Sequence, residues 1–188
     1  MAMKANKKHH PRVAVLATDG FEQSELLEPA ATLQEAGAVV EIVSPEGKSI
    51  RGWKDHEWGQ NLKADLSLAE ADPASYDALL LPGGVMNSDD LRTSTAAQDF
   101  VRHFFFEDKP VFVICHGAQI LIDAEMVEDR TMTSYPAIAA DLINAGANWR
   151  DEEVVEDGNL VTSRSPDDLV AFSAAICRAL GLRAPQPV

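Results

Sequence analysis

Val111-Phe112-Val113-Ile114-Cys115-His116-Gly117 decides the fold. Four apolar residues in a row, three of them β-branched, have the character of a strand covered on both faces, as strands of parallel sheets are. The run stops abruptly at a thiol and an imidazole, and apolar periodicity resumes at Ile120, Leu121 and Ala124 as that of a helix. Strand, sharp turn and helix, with Gly two positions after the Cys so that the backbone can fold tightly, is the setting of a nucleophile elbow. A thiol there faces the positive end of the following helix, which predicts a lowered pKa. The competing reading, a buried structural Cys, does not account for Gly117 or for the abrupt end of the run.

Outward from this stretch, short β-branched runs alternate with amphipathic ones. Upstream, Ala97, Phe100, Val101, Phe104 and Phe105 form a helical stripe that Thr93 or Ser94 can cap. Tyr76 to Leu81 reads as a buried strand ending in Pro82-Gly83-Gly84, and Arg12 to Thr18 as the first strand. A helix capped by Ser24 should bury Leu26, Leu27, Ala30 and Leu33 and stop at Gly37, with Pro29 forcing an irregular first turn or a later start. Val39 to Val43 is a strand, and residues 48–66 suggest a hairpin off the main sheet. Downstream come a helix from Pro136 to Ala145 and a hairpin of 154–156 with 160–163 through Asp157-Gly158-Asn159. The last helix, opened by Ser165-Pro166-Asp167-Asp168, carries the stripe Leu169, Phe172, Ile176 and Leu180. The fold class is α/β, a three-layer sandwich with helices on both faces of a mainly parallel sheet.

The chain has 188 residues, 30 acidic against 16 basic, for a formal net charge of −14. The first twelve hold four of the basic residues and no acid, so residues 13–188 carry 12 basic against 30 acidic, a net of −18. Such a body repels a phosphate backbone, which argues against nucleic-acid partners. The basic start has no apolar run of the kind a secretory signal needs and reads as a disordered tail, residues 1–11, on a cytoplasmic protein. A single domain over 12–181 and a C-terminal tail over 182–188 complete the expected organisation, with no membrane span. His9 and His10 are too few ligands for a metal site. Cys115 and Cys177 are too far apart for a CxxC pair. Cys177 lies beside an apolar helical stripe and reads as an inert core thiol.

Candidate chemistry gathers at two strand ends. Gly83 and Gly84 allow backbone N–H groups to face a ligand, a way to build an oxyanion site. Among bases and acids, His116 adjoins the thiol, His103 sits inside an amphipathic helix and His56 is unplaced. Glu22, Glu25 and Glu28 follow the first strand, and Asp89 and Asp90 follow the Gly-Gly turn. A carboxyl beside the thiol must share a proton with it or be protonated itself.

FEQSEL at 21–26, LLLPGG at 79–84, VFVICHGAQIL at 111–121, TSYPAI at 133–138 and LVTSRSPDDL at 160–169 together resemble the ThiJ/PfpI family of the class I glutamine amidotransferase-like superfamily, in order and from about residue 12 to 181. The resemblance implies a flavodoxin-like sandwich, a stress-associated role and a homodimer or higher oligomer. It makes Cys115 the nucleophile with His116 as neighbour, Glu25 the carboxyl that hydrogen-bonds the thiol, and Gly84 with the His116 N–H the oxyanion hole. Asp89 falls where relatives carry an acid that orients the His, sometimes across a subunit interface, with Asp90 adjoining as the alternative. Tyr135 would lie near the pocket. No His follows His116, so the downstream His and Glu pair of a glutamine amidotransferase is missing and that chemistry is excluded.

Three functions are then in competition. The first is a cofactor-free, metal-free cysteine enzyme acting on small reactive carbonyls or their adducts on modified proteins, of deglycase or glyoxalase type. The second is an intracellular cysteine peptidase. The third is a redox sensor or stress chaperone in which Cys115 is oxidised rather than turned over.

Overall fold

Strand β1 (Arg12–Leu16) leads through the short β2 (Phe21–Glu22) into helix α1 (Gln23–Glu35), and β3 (Val39–Ser44) returns beside β1. The computed structural model describes residues 10–185. The expected hairpin is present as β4 (Ile50–Lys54) and β5 (Glu57–Leu62), with the Trp53 and Trp58 rings edge to face at 5.3 Å. Strand β2 pairs with β4, so the hairpin forms a separate three-stranded sheet. After β6 (Leu66–Ser67), β7 (Ala78–Leu81) precedes helices α2 (Val85–Arg92) and α3 (Thr95–Phe106). The strand of the elbow, β8 (Val111–Ile114), runs into a 3-10 turn, Cys115–Ala118, and then α4 (Gln119–Asp123). The chain closes with β9 (Thr131–Met132), α5 (Ala139–Asn144), β10 (Asn148–Trp149), the hairpin β11 (Val154–Asp157) and β12 (Leu160–Ser163), and α6 (Leu169–Ala179).

The main sheet has seven strands in the order β11-β12-β8-β7-β1-β3-β6, parallel except for β11 at the edge. Alternate side chains of each buried strand enter opposite layers, as a period of two requires. Ala14, Leu16, Leu79, Leu81, Val111 and Val113 pack with the α3 stripe and with Leu121 and Leu142. Val13, Val15, Leu80, Phe112 and Ile114 pack on the other face with Leu26 and Leu33 of α1 and Phe172 and Ile176 of α6. From β1 the chain builds first toward β3 and then crosses to β7. The carboxyl ends of β1 and β7 therefore flank the switch point where ligands of open α/β sheets bind, and β8 lies next to β7.

Several local expectations are corrected. The cap of α1 is Glu22, not Ser24: the Glu22 carboxylate accepts from the Glu25 N–H at 2.8 Å and from the Ser24 hydroxyl at 2.5 Å. Helix α1 also runs unbroken through the buried Pro29. Proline there forgoes one bond to the Glu25 carbonyl, and burial of Leu26, Ala30 and Leu33 on the same face outweighs it. Ser165 makes no side-chain cap, because a 3-10 turn, Pro166–Asp168, separates it from α6. Arg164 instead grips Asp168 at 2.9 and 3.0 Å and Asp151 at 2.8 Å. Helix α2 was not foreseen, since its eight residues carry little apolar periodicity. Of the tails expected at 1–11 and 182–188, residues 1–9, His9 among them, and 186–188 lie outside the described residues; His10 meets the Gly37 carbonyl at 2.7 Å. No helix among the described residues is long and apolar enough to cross a membrane.

Candidate active site

Cys115 takes φ +61°, a left-handed conformation unusual for a residue with a side chain. The turn is held by the Tyr135 N–H, which donates to the Cys115 carbonyl at 3.3 Å. It packs against the end of β7 so closely that a Cβ on Gly117 would come within 2.7 Å of the Leu81 carbonyl oxygen. This is the tight elbow expected from Gly at that position.

Around the thiol the predicted residues converge. The His116 Nδ1 lies 3.3 Å from Sγ, and the backbone N–H groups of His116 and Gly84 are both directed at the sulfur. Glu25, fully buried, sits beside the thiol in hydrogen-bonding reach. Its Oε2 accepts from the Gly83 N–H at 2.8 Å, while Oε1 is enclosed without a partner in ordinary hydrogen-bond geometry. Gly83 is where these groups meet: a Cβ there would lie 2.5 Å from Glu25 Oε2, 2.7 Å from Cys115 Cβ and 3.0 Å from the His116 nitrogen. Tyr135 stacks on the imidazole at 4.8 Å between ring centres, with 27° between planes.

Electrostatics depart from the sequence expectation. Burial, then the nearby Glu25, push the Cys115 thiol up rather than down, against the lesser pull of the His116 and Gly84 N–H groups. The expected helix field is weak because the elbow opens a 3-10 turn and the five-residue α4. Burial also raises Glu25 to about 8, helped by the charge of Glu22, and lowers His116 below its usual value. At neutral pH the site therefore holds a protonated thiol, a neutral imidazole and a protonated carboxyl.

Asp89 and Asp90 stand exposed on α2, and among the described residues neither carboxylate hydrogen-bonds His116. Cys177 is fully buried in α6, as expected, and His103 lies on α3 against Phe104. Sequence reasoning missed Asn87, which is buried and joined to the Pro82-Gly83 loop. Its signal was only a polar residue three positions after the glycines. No cluster of three or more His, Cys, Asp or Glu side chains able to hold a metal occurs among the described residues.

Residues 11–179 match the DJ-1/PfpI family model, and the elbow, the PGG loop and Glu25 all lie within that span. The chain belongs to the DJ-1/PfpI family. Among similar DJ-1/PfpI relatives, "Protein/nucleic acid deglycase 2" of Escherichia coli is 45% identical over 172 residues, 90% of this chain and 98% of that protein. "Putative cysteine protease YraA" of Bacillus subtilis is 44% identical over 163 residues, covering 86% and 94%. A solved two-domain protein of Anabaena variabilis, with DJ-1/ThiJ/PfpI-like and ferritin-like domains, superposes with a TM-score of 0.88 at 34% identity, over 95% of this chain and 50% of that one.

Proposed function

We propose that this DJ-1/PfpI protein is a cofactor-free cysteine enzyme of deglycase or glyoxalase type, adding the Cys115 thiol to small reactive carbonyls or to their adducts on proteins. Relatives named deglycase and cysteine protease support a role of one of these two kinds. The observation that carries the reading is the set of groups around one sulfur: a neutral imidazole, a protonated carboxyl and two N–H groups. As Sγ attacks the carbonyl carbon, a C–S bond forms and the C=O π pair moves to oxygen. His116 Nδ1 takes the thiol proton, the N–H groups of Gly84 and His116 stabilise the oxyanion, and Glu25 gives the oxygen a proton. The product of this step is a neutral hemithioacetal, and Glu25 regains its proton from His116.

Small substrates suit the site better than peptides, since Cys115 is only 6% exposed and a peptidase needs an extended groove. Burial against a carboxyl also suits a sulfur-oxidation sensor. Selective peroxide oxidation of Cys115 over Cys177 in the absence of any turnover, read by mass spectrometry, would favour that alternative. Cys115→Ala and Cys115→Ser should abolish turnover of methylglyoxal and of methylglyoxal-modified peptides. Full activity in both variants would overturn the reading.

A further inference from the structure

We propose that Asn87 is a positioning residue of this site, its side-chain amide holding the two peptide planes that deliver the Gly83 and Gly84 N–H groups to Glu25 and Cys115. The inference rests on the thiol-addition reading above and names a residue which that reading does not use. Asn87, in the first turn of α2, is fully buried. Its Nδ2 donates to the Pro82 and Gly83 carbonyls, each at 3.1 Å, and its Oδ1 accepts from the Thr18 N–H at 2.8 Å. The orientation of the amide is unambiguous, because only its nitrogen can serve two carbonyls and only its oxygen can serve an N–H.

Peptide planarity turns those contacts into aim. In a trans peptide the C=O and N–H point in opposite directions, and among the described residues no peptide is cis. Anchoring the Pro82 carbonyl on Asn87 sends the N–H of the same plane, that of Gly83, to Glu25 Oε2 at 2.8 Å. Anchoring the Gly83 carbonyl, which also accepts from the Glu22 N–H at 3.1 Å, sends the Gly84 N–H to the Cys115 sulfur. Two successive N–H groups thus face the reacting side, as in backbone nests that bind anions. Without the amide, buried carbonyls lose donors and the planes turn to recover them. Through Thr18 the same side chain ties the loop to the end of β1 across the switch point.

The experiment compares Asn87→Asp, which keeps the acceptor for Thr18 and replaces the donating nitrogen, and Asn87→Ser with Val101→Ala, a cavity control buried in α3. Cys115 alkylation by iodoacetamide is followed against pH, beside methylglyoxal turnover and thermal melting. The Asn87 variants should alkylate about tenfold more slowly at pH 7. Their kcat should fall about 10- to 100-fold with KM nearly unchanged. Val101→Ala should melt lower and keep the alkylation profile and kcat of the wild type. If Asn87→Asp does not fold, Asn87→Ser carries the comparison. Asn87 variants that melt lower but alkylate and turn over as the wild type does overturn the positioning role. Turnover that survives in Cys115→Ala overturns thiol addition instead, and the alkylation profiles then still decide for or against Asn87.

Discussion

At Glu25 and His116 one cause acts with opposite sign. Burial disfavours charge, so it holds the proton on the carboxyl and off the imidazole, and the thiol between them finds a base on one side and an acid on the other. Environments that push two titrating groups apart assign the roles. The activity this arrangement supports needs Glu25 protonated, which it is below about pH 8. We therefore expect kcat/KM to fall as pH rises through about 8. Glu25→Gln keeps a hydrogen-bond donor but cannot pass on a proton, so its turnover should drop about 100-fold, with no alkaline limb of this origin. The same variant should alkylate at Cys115 more readily at high pH, since the carboxylate that opposes the thiolate is gone. A wild-type profile flat through pH 9 would remove Glu25 as the acid.

Among the elements, α1 couples packing to chemistry. Its cap, Glu22, satisfies the Glu25 N–H with its carboxylate, and through its own backbone N–H it holds the Gly83 carbonyl. The negative charge of Glu22 also raises Glu25. Glu22→Gln keeps an acceptor oxygen for the cap and removes the charge, so the alkaline limb of activity should move to lower pH while helix stability changes by about 0.5 kcal/mol. pH-rate profiles with urea unfolding of the same variant check both parts; an unmoved limb would mean that Glu22 does not act on Glu25. The cap was hidden from the sequence because Ser24 is the better capping residue by type. The longer Glu side chain reaches the Glu25 N–H from three positions earlier and also takes the Ser24 hydroxyl as a donor. Helix α2 was hidden for a different reason. Val85, Met86, Asp89 and Asp90 are exposed while Asn87, Ser88 and Leu91 are buried, so its inner face is mostly polar and leaves no apolar stripe to read.

For the molecule as a whole, the parallel sheet and its two cores were legible because apolar runs such as Val111 to Ile114 and Leu79 to Leu81 need burial on both faces. Placing those strands side by side brings Cys115 and Gly84 together, whereas the choice of Glu25 over Glu22 and Glu28 comes from the family resemblance and not from the spacing. What could not be read was depth: nothing in the spacing says that Cys115 and Glu25 are both buried, and burial of the thiol, then the nearby Glu25, reverses the direction expected for it. That enclosure has a consequence for stability. A carboxyl raised from 4.5 to about 8 on folding binds its proton more tightly in the folded state. Its contribution is therefore complete below pH 4.5 and is lost as pH rises through about 8. The net charge of −14 adds repulsion that also grows as surface acids ionise, but wild type and Glu25→Gln share that background. The difference between their urea midpoints isolates the buried group. Relative to Glu25→Gln, the wild type should lose stability steadily between about pH 5 and pH 8. A constant difference across that range would mean that Glu25 ionises in the folded protein as it does in the unfolded chain, and the acid role argued for it would fail with it.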